Sequence, residues 1–136
     1  MHQPKTMCPM FVSTRIPETK VFYQRHFGLE VAFDCGWYIS LKAGPQARSP
    51  FELSFREPKP GDLPAVGGVS VALEVADADA AHADLVAAGV PLVKPLCDNP
   101  WGDRSFVAVD PNGLNLYLFH PIEAAPEFRS AVKTQA

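Results

Sequence analysis

The chain carries one order of signals twice, once on each side of a proline-rich stretch, and this duplication constrains the fold more than any other feature. The divider is Glu57-Pro58-Lys59-Pro60-Gly61-Asp62-Leu63-Pro64. It suits neither a helix interior nor a central strand, because proline lacks the N–H and glycine is loose. Before it, an apolar stretch from Met10 to Thr14 leads to Pro17 at a first helical position, then Val21, Phe22, Tyr23 and Phe27, with Gly28 as the stop. Strands are expected at Leu29 to Phe33, Trp37 to Lys42 and Phe51 to Arg56. After the divider, Val69 to Val75 alternates with period two, Asp77 or Asp79 can cap, and Ala81, Leu85, Val86 and Ala88 mark a helical stripe ending at Gly89. Val90 to Val93, Arg104 to Val109 and Leu114 to His120 then read as strands, the last two joined by the turn types Asp110-Pro111-Asn112-Gly113.

Both halves thus read strand, helix, strand, strand, strand. A sheet covered by one helix leaves its other face bare, so two such units are expected to pair around a ligand cleft. The fold class is α+β: two βαβββ modules, each a mixed sheet with one covering helix. At 136 residues the whole chain, 1–136, reads as one domain. Within it, 8–57 is the first module, 58–67 the linker and 68–120 the second module. Residues 121–136 form a polar, alanine-rich tail with room for a short helix around Phe128 and Val132.

The 47% apolar and 20% charged residues argue for a packed core rather than disorder. A net charge of -3 supplies no basic stripe, so nucleic acid is not an expected partner. Cys8, Cys35 and Cys97 are odd in number and form no CxxC pair, which fits a reducing compartment better than a disulfide framework. No leader-like start and no run of 18 apolar residues occurs, so a cytoplasmic protein without a membrane partner is expected.

The βαβββ repeat, Phe22-Tyr23 followed by His26-Phe27-Gly28-Leu29, and the strand-ending Val109-Asp110-Pro111-Asn112-Gly113 together resemble the vicinal oxygen chelate superfamily. That group includes glyoxalases, extradiol dioxygenases, fosfomycin-resistance thiol transferases and bleomycin-resistance proteins. The likeness spans Cys8 to His120. It implies that metal-dependent members would place ligands at Cys8, Glu52, Ser70 and Tyr117, of which Glu52 alone is of the expected kind. A thiol and two neutral hydroxyls do not replace imidazoles and a carboxylate around a hard dication, and tyrosine ionises only near pH 10. Slipping by one residue reaches the apolar Val69, Val71, Leu116 and Leu118. His2, His26, His82 and His120 share no strand face. No metal and no other cofactor is therefore expected, and the chain is most similar in character to the bleomycin-resistance group. Pro100-Trp101-Gly102-Asp103-Arg104 also looks like the Trp-Gly-x-Arg segment of that group.

Alternation places Glu52 opposite Phe51, Leu53 and Phe55, and puts Ser70, Asn115 and Tyr117 on the same cleft-facing phase. Tyr38 and Ser40 share it if Trp37, Ile39 and Leu41 form core. The expected ligand-binding set is Glu52, Tyr117, Trp101, Ser70, Asn115, Arg104 and Tyr38. The indole of Trp101 would stack on a planar ring. The plainer reading makes Glu52 a solvated carboxylate, Trp101 a plug at the sheet end, and Arg104 a tie to a carbonyl or to Asp103. Cys8 reads as a half-buried thiol, not a nucleophile. The expected function is metal-free sequestration of a planar or cationic organic compound by a homodimer. Two alternatives stand beside it: a divalent-metal lyase or dioxygenase with a site rebuilt from Glu52, Cys8 and Tyr117, and acid–base catalysis by Glu52 alone.

Overall fold

The computed structural model describes residues 1–63 and 67–133. They group into two compact units, Met1–Gly67 and Gly68–Ala136, each with its own sheet. The linker expected at 58–67 and the tail expected at 121–136 therefore fall in part, at 64–66 and 134–136, outside the described residues.

The first unit runs β1 (Met10–Val12), α1 (Ile16–Phe27), β2 (Glu30–Asp34), β3 (Tyr38–Lys42) and β4 (Glu52–Arg56). The second repeats the order as β5 (Ser70–Glu74), α2 (Ala78–Ala87), β6 (Leu92–Asn99), β7 (Asp103–Val109) and β8 (Asn115–Pro121), followed by α3 (Pro126–Arg129). The sheets have one topology, β1-β4-β3-β2 and β5-β8-β7-β6. In each the first strand pairs parallel with the fourth, and the remaining pairs are antiparallel. The duplicated α+β architecture expected from the sequence is what the chain forms.

Both helices start and stop on local chemistry. Pro17 sits in the first turn of α1, and Gly28, at φ 61°, ends it in the left-handed region that a side chain would resist. In α2 the Asp77 carboxylate accepts from the Asp79 and Ala80 amides. Gly89, at φ 76°, then lets the Gly89 and Val90 amides reach back to the Val86 and Leu85 carbonyls.

Each helix covers one face of its sheet. Ile16, Phe22 and Tyr23 of α1 are buried, and the Tyr23 ring lies 5.5 Å from that of Phe55. Register places Phe11, Ile39, Leu41, Leu53 and Phe55 together on this face. In the second unit Phe106, Ala108, Leu116 and Leu118 do the same beneath Ala78 and Leu85.

Several expectations need correction. Phe51, placed on the core face, and Trp37, conditionally grouped with core Ile39 and Leu41, are 41% and 53% exposed. Both stand just before their strands, where their carbonyls still accept from the Glu57 and Ala43 amides but their side chains lie at the sheet's margin in solvent, and the Lys59 ammonium stands 5.8 Å from the Trp37 ring centroid. Strand β6 extends to Asn99, well beyond Val93, despite Pro95: it is an edge strand with two register shifts, where a missing N–H is tolerated. Val86 and Ala88 of the expected α2 stripe are exposed, leaving Ala78 and Leu85 as the residues it buries. The tail helix includes Phe128 but ends before Val132.

Candidate functional site

Strand alternation leaves the face of the second sheet away from α2 lined by Ser70 on β5, Asn115, Tyr117 and Phe119 on β8, Asp103, Ser105 and Val107 on β7, and Cys97 and Asn99 on β6. Ser70 is directly opposite Asn115, and Tyr117 follows two residues along. Three of the expected ligand-binding residues therefore share one face. Trp101 joins them from the turn between β6 and β7, where its indole N–H donates to Asp103 Oδ2 at 3.1 Å and to the Tyr117 hydroxyl at 3.3 Å.

Asp103 is the hub of this face. The Tyr117 hydroxyl donates to its carboxylate at 2.8 Å, and Asn99 Nδ2 donates to its Oδ1 at 2.8 Å. The same Asn99 amide donates its other hydrogen to Ser105 Oγ at 2.8 Å. Hydrogen bonds to an ionised acceptor are the stronger kind, so three side chains, Tyr117, Asn99 and Trp101, are pinned around one carboxylate. Aromatic surface flanks it: the Trp101 ring meets Phe128 of α3 edge-on at 6.4 Å, and Tyr117 lies 6.0 Å from Phe119. Trp101 is 53% exposed, leaving indole surface for a ligand.

Sequence reasoning missed Asp103, Asn99 and Phe128 as parts of this face. For Asp103 a signal was present, since it alternates in phase with Ser105 and opposite Phe106. What the sequence withheld was the register that sets Val107 opposite Tyr117.

Arg104 does not join them. It points to the helix side of the sheet, where its guanidinium donates to both oxygens of Asp79 on α2 and to Asp98 on β6. Its anchors are thus Asp79 and Asp98, not Asp103. The hydrogen bond to Asp79, then that to Asp98, holds Arg104 above the ordinary guanidinium range, while the Arg104 hydrogen bond keeps Asp79 below the ordinary carboxylate value. At the same edge the Ala78 amide donates to His120 Nδ1 at 2.8 Å.

Glu52 and Tyr38 lie on the open face of the first sheet, at opposite ends. Glu52 pairs with Lys42, and Tyr38 pairs with Arg56 four residues away along β3, about 13 Å. Tyr38 sits among aromatics, with Phe33 at 5.9 Å and Trp37 at 6.2 Å. Glu52 lines a surface pocket of about 390 Å³ with Lys42, Arg48, Ser49 and Phe51.

The donors present decide whether the metal implied by the family resemblance fits. The Tyr117 hydroxyl is committed to Asp103, and the Cys8 thiol reaches Ser54 Oγ at 3.5 Å and the Pro9 carbonyl at 3.7 Å. Ser70 offers a neutral hydroxyl. Among the described residues no group of three or more His, Cys, Asp or Glu side chains is arranged to hold a metal ion. The donor set at Cys8, Glu52, Ser70 and Tyr117 does not suit a hard dication.

Fold and site together define a duplicated βαβββ protein with a polar, aromatic-rimmed sheet face. Residues 9–118 match the Glyoxalase/Bleomycin resistance protein/Dioxygenase superfamily, and the chain belongs to that family. Among solved structures it is similar to a glyoxalase/bleomycin resistance protein/dioxygenase from Nocardioides, with TM-score 0.70 and 21% identity over 93% of this chain and 89% of that one. It is likewise similar to TnmS3, an antibiotic binding protein from Streptomyces sp. CB03234, with TM-score 0.70 and 23% identity over 89% and 98% of the two chains. A bleomycin resistance determinant encoded on the transposon Tn5 aligns with TM-score 0.60 and 22% identity over 87% and 98%. At these identities the likeness concerns the fold. Among curated proteins none matches significantly. No helix among the described residues is long and apolar enough to cross a membrane.

Proposed function

We propose that the protein binds a small, partly planar organic compound and sequesters it without a metal and without chemical change. The observation that carries this reading is the Asp103 carboxylate, held by Tyr117, Trp101 and Asn99 and flanked by exposed aromatic surface. Trp101 and Tyr117 offer flat apolar area for a ring, Ser70 and Asn115 extend the polar lining, and the carboxylate suits a cationic substituent. Glu52 and Tyr38, on the open face of the first sheet, are proposed as ligand-binding residues of that unit. Arg104 is left out because two aspartates already hold it on the helix side. The antibiotic-binding and bleomycin-resistance relatives of the same fold are consistent with this use.

A homodimer is proposed as the working form, in keeping with the edge strands β2 and β6, which expose Val31, Phe33, Leu92 and Val93. The three free cysteines suit a reducing, cytoplasmic setting.

Calorimetric titration with bleomycin and a panel of planar cationic compounds tests the reading. Saturable binding at micromolar concentrations, with the compound recovered intact and chelator without effect, is expected. Absence of binding across the panel overturns it. A stoichiometric dication in protein purified without chelator, lost in Glu52→Ala, would instead favour a metal-dependent lyase or dioxygenase of the same family.

A further inference from the structure

We infer that the face around Asp103 selects its ligand by hydrogen-bond donors: it accepts an amidinium, guanidinium or ammonium group on a planar ring and rejects the matching carboxylate. This deepens the proposed function and rests on it. The hydrogens around Asp103 are already used. Asn99 spends both amide hydrogens, on Asp103 and Ser105. Trp101 spends its one N–H on Asp103 and Tyr117, and Tyr117 spends its O–H on Asp103. All four of these hydrogens are consumed within the cluster.

What remains for a ligand is acceptor capacity. A carboxylate offers about four lone-pair sites, to which Asn99, Trp101 and Tyr117 bring three hydrogens, the Tyr117 O–H being shared between the two oxygens. The Tyr117 oxygen keeps a lone pair beyond the long contact from Trp101. A ligand acceptor therefore finds no free hydrogen on Asn99, Trp101 or Tyr117 and loses its hydration beside a negative charge, whereas a donor completes the set; the Ser105 hydroxyl is buried, and Ser70 and Asn115 pair at the far end of the face, opposite Val109.

Neighbouring cations do not cancel the charge. Arg104, next in sequence to Asp103, is carried to the opposite face by strand alternation and fixed there by Asp79 and Asp98. Arg129, beside Phe128, is bound to Glu123 at 2.7 Å. Lys94 shares the face but pairs with Val107, four residues along β7 from Asp103, about 13 Å away.

Three probes with one ring system isolate the rule: 2-naphthamidine, 2-naphthamide and 2-naphthoate. Each is titrated while the Trp101 indole N–H resonance, assigned with Trp37→Phe, is followed by nuclear magnetic resonance. The amidine is expected to move that resonance and bind about tenfold or more tighter than the amide, as a charge-assisted bond allows, with no response to the carboxylate. Asp103→Asn is expected to erase the preference of amidine over amide. Naphthoate binding as well as naphthamidine, or an unchanged preference in Asp103→Asn, overturns the donor rule while leaving ring binding intact. Silence of the Trp101 signal toward all three overturns both. The ranking on the unaltered protein is decisive even if Asp103→Asn folds poorly.

Discussion

Removing the hydroxyl of Tyr117 probes the hub of the proposed site without adding bulk. The O–H donates to an ionised carboxylate at 2.8 Å in a half-buried setting. Bonds to charged groups are worth roughly 1.5–3 kcal/mol, and partial water access brings the expected cost of Tyr117→Phe to about 1–1.5 kcal/mol. At this chain length that lowers Tm by about 3–6 °C. Asp103→Ala strands three donors, from Tyr117, Trp101 and Asn99, and should cost about 2 kcal/mol. With the carboxylate gone, Tyr117→Phe has little left to lose. The double variant should therefore be more stable than the sum of the singles implies, by about 1 kcal/mol. Urea denaturation of all four proteins, followed by far-ultraviolet circular dichroism, measures this coupling. Additivity within about 0.3 kcal/mol would mean that the Tyr117–Asp103 bond contributes nothing, and the account of a pinned carboxylate would fail.

Two further predictions concern the first unit. Phe55 is fully buried against Tyr23 and Phe11, so Phe55→Ala should cost about 3–5 kcal/mol, whereas Phe51→Ala, at a position 41% exposed, should cost less than about 1 kcal/mol; thermal denaturation of the pair checks the corrected strand boundary. Asp62 accepts hydrogen bonds from Arg56 and from the Lys59 amide, which hold its pKa at about 2, below the ordinary 3.8. A depressed carboxylate pKa stabilises the fold above the unfolded value and loses that effect as pH falls through the folded one. The stability advantage of the unaltered protein over Asp62→Asn should thus be full above about pH 5 and vanish near pH 2, as acid titration of Tm would show.

The order of elements was legible because its signals are local. Pro17 and Gly28, Asp77 and Gly89, and the Asp110 to Gly113 turn each act within a few residues, and two repeats of one pattern reinforce each other. Where burial depends on distant pairing, the sequence misled. Phe51 and Trp37 look like core from alternation alone, yet alternation means burial only where a strand is paired and covered. The true length of β6 was hidden by Pro95 and its bulges.

The site was legible in part for the same reason. The shared phase of Ser70, Asn115 and Tyr117 follows from periodicity along β5 and β8. The convergence of Trp101, Asp103 and Asn99 on Tyr117 needs the β6–β7–β8 register, which no single strand encodes. The partner of Arg104 was not legible, because Asp79 lies 25 residues earlier on a helix whose docking the sequence does not specify.

Metal-free binding of a planar donor-bearing compound at the Asp103 face would be decided by a crystal structure of the protein with the tightest-binding planar cation. The expected result is the ring against Trp101 and Tyr117, the cationic group hydrogen-bonded to Asp103, and the compound chemically unchanged. A ligand bound away from Trp101 and Asp103, or one bridged to the protein through a metal held by Glu52, would contradict the claim.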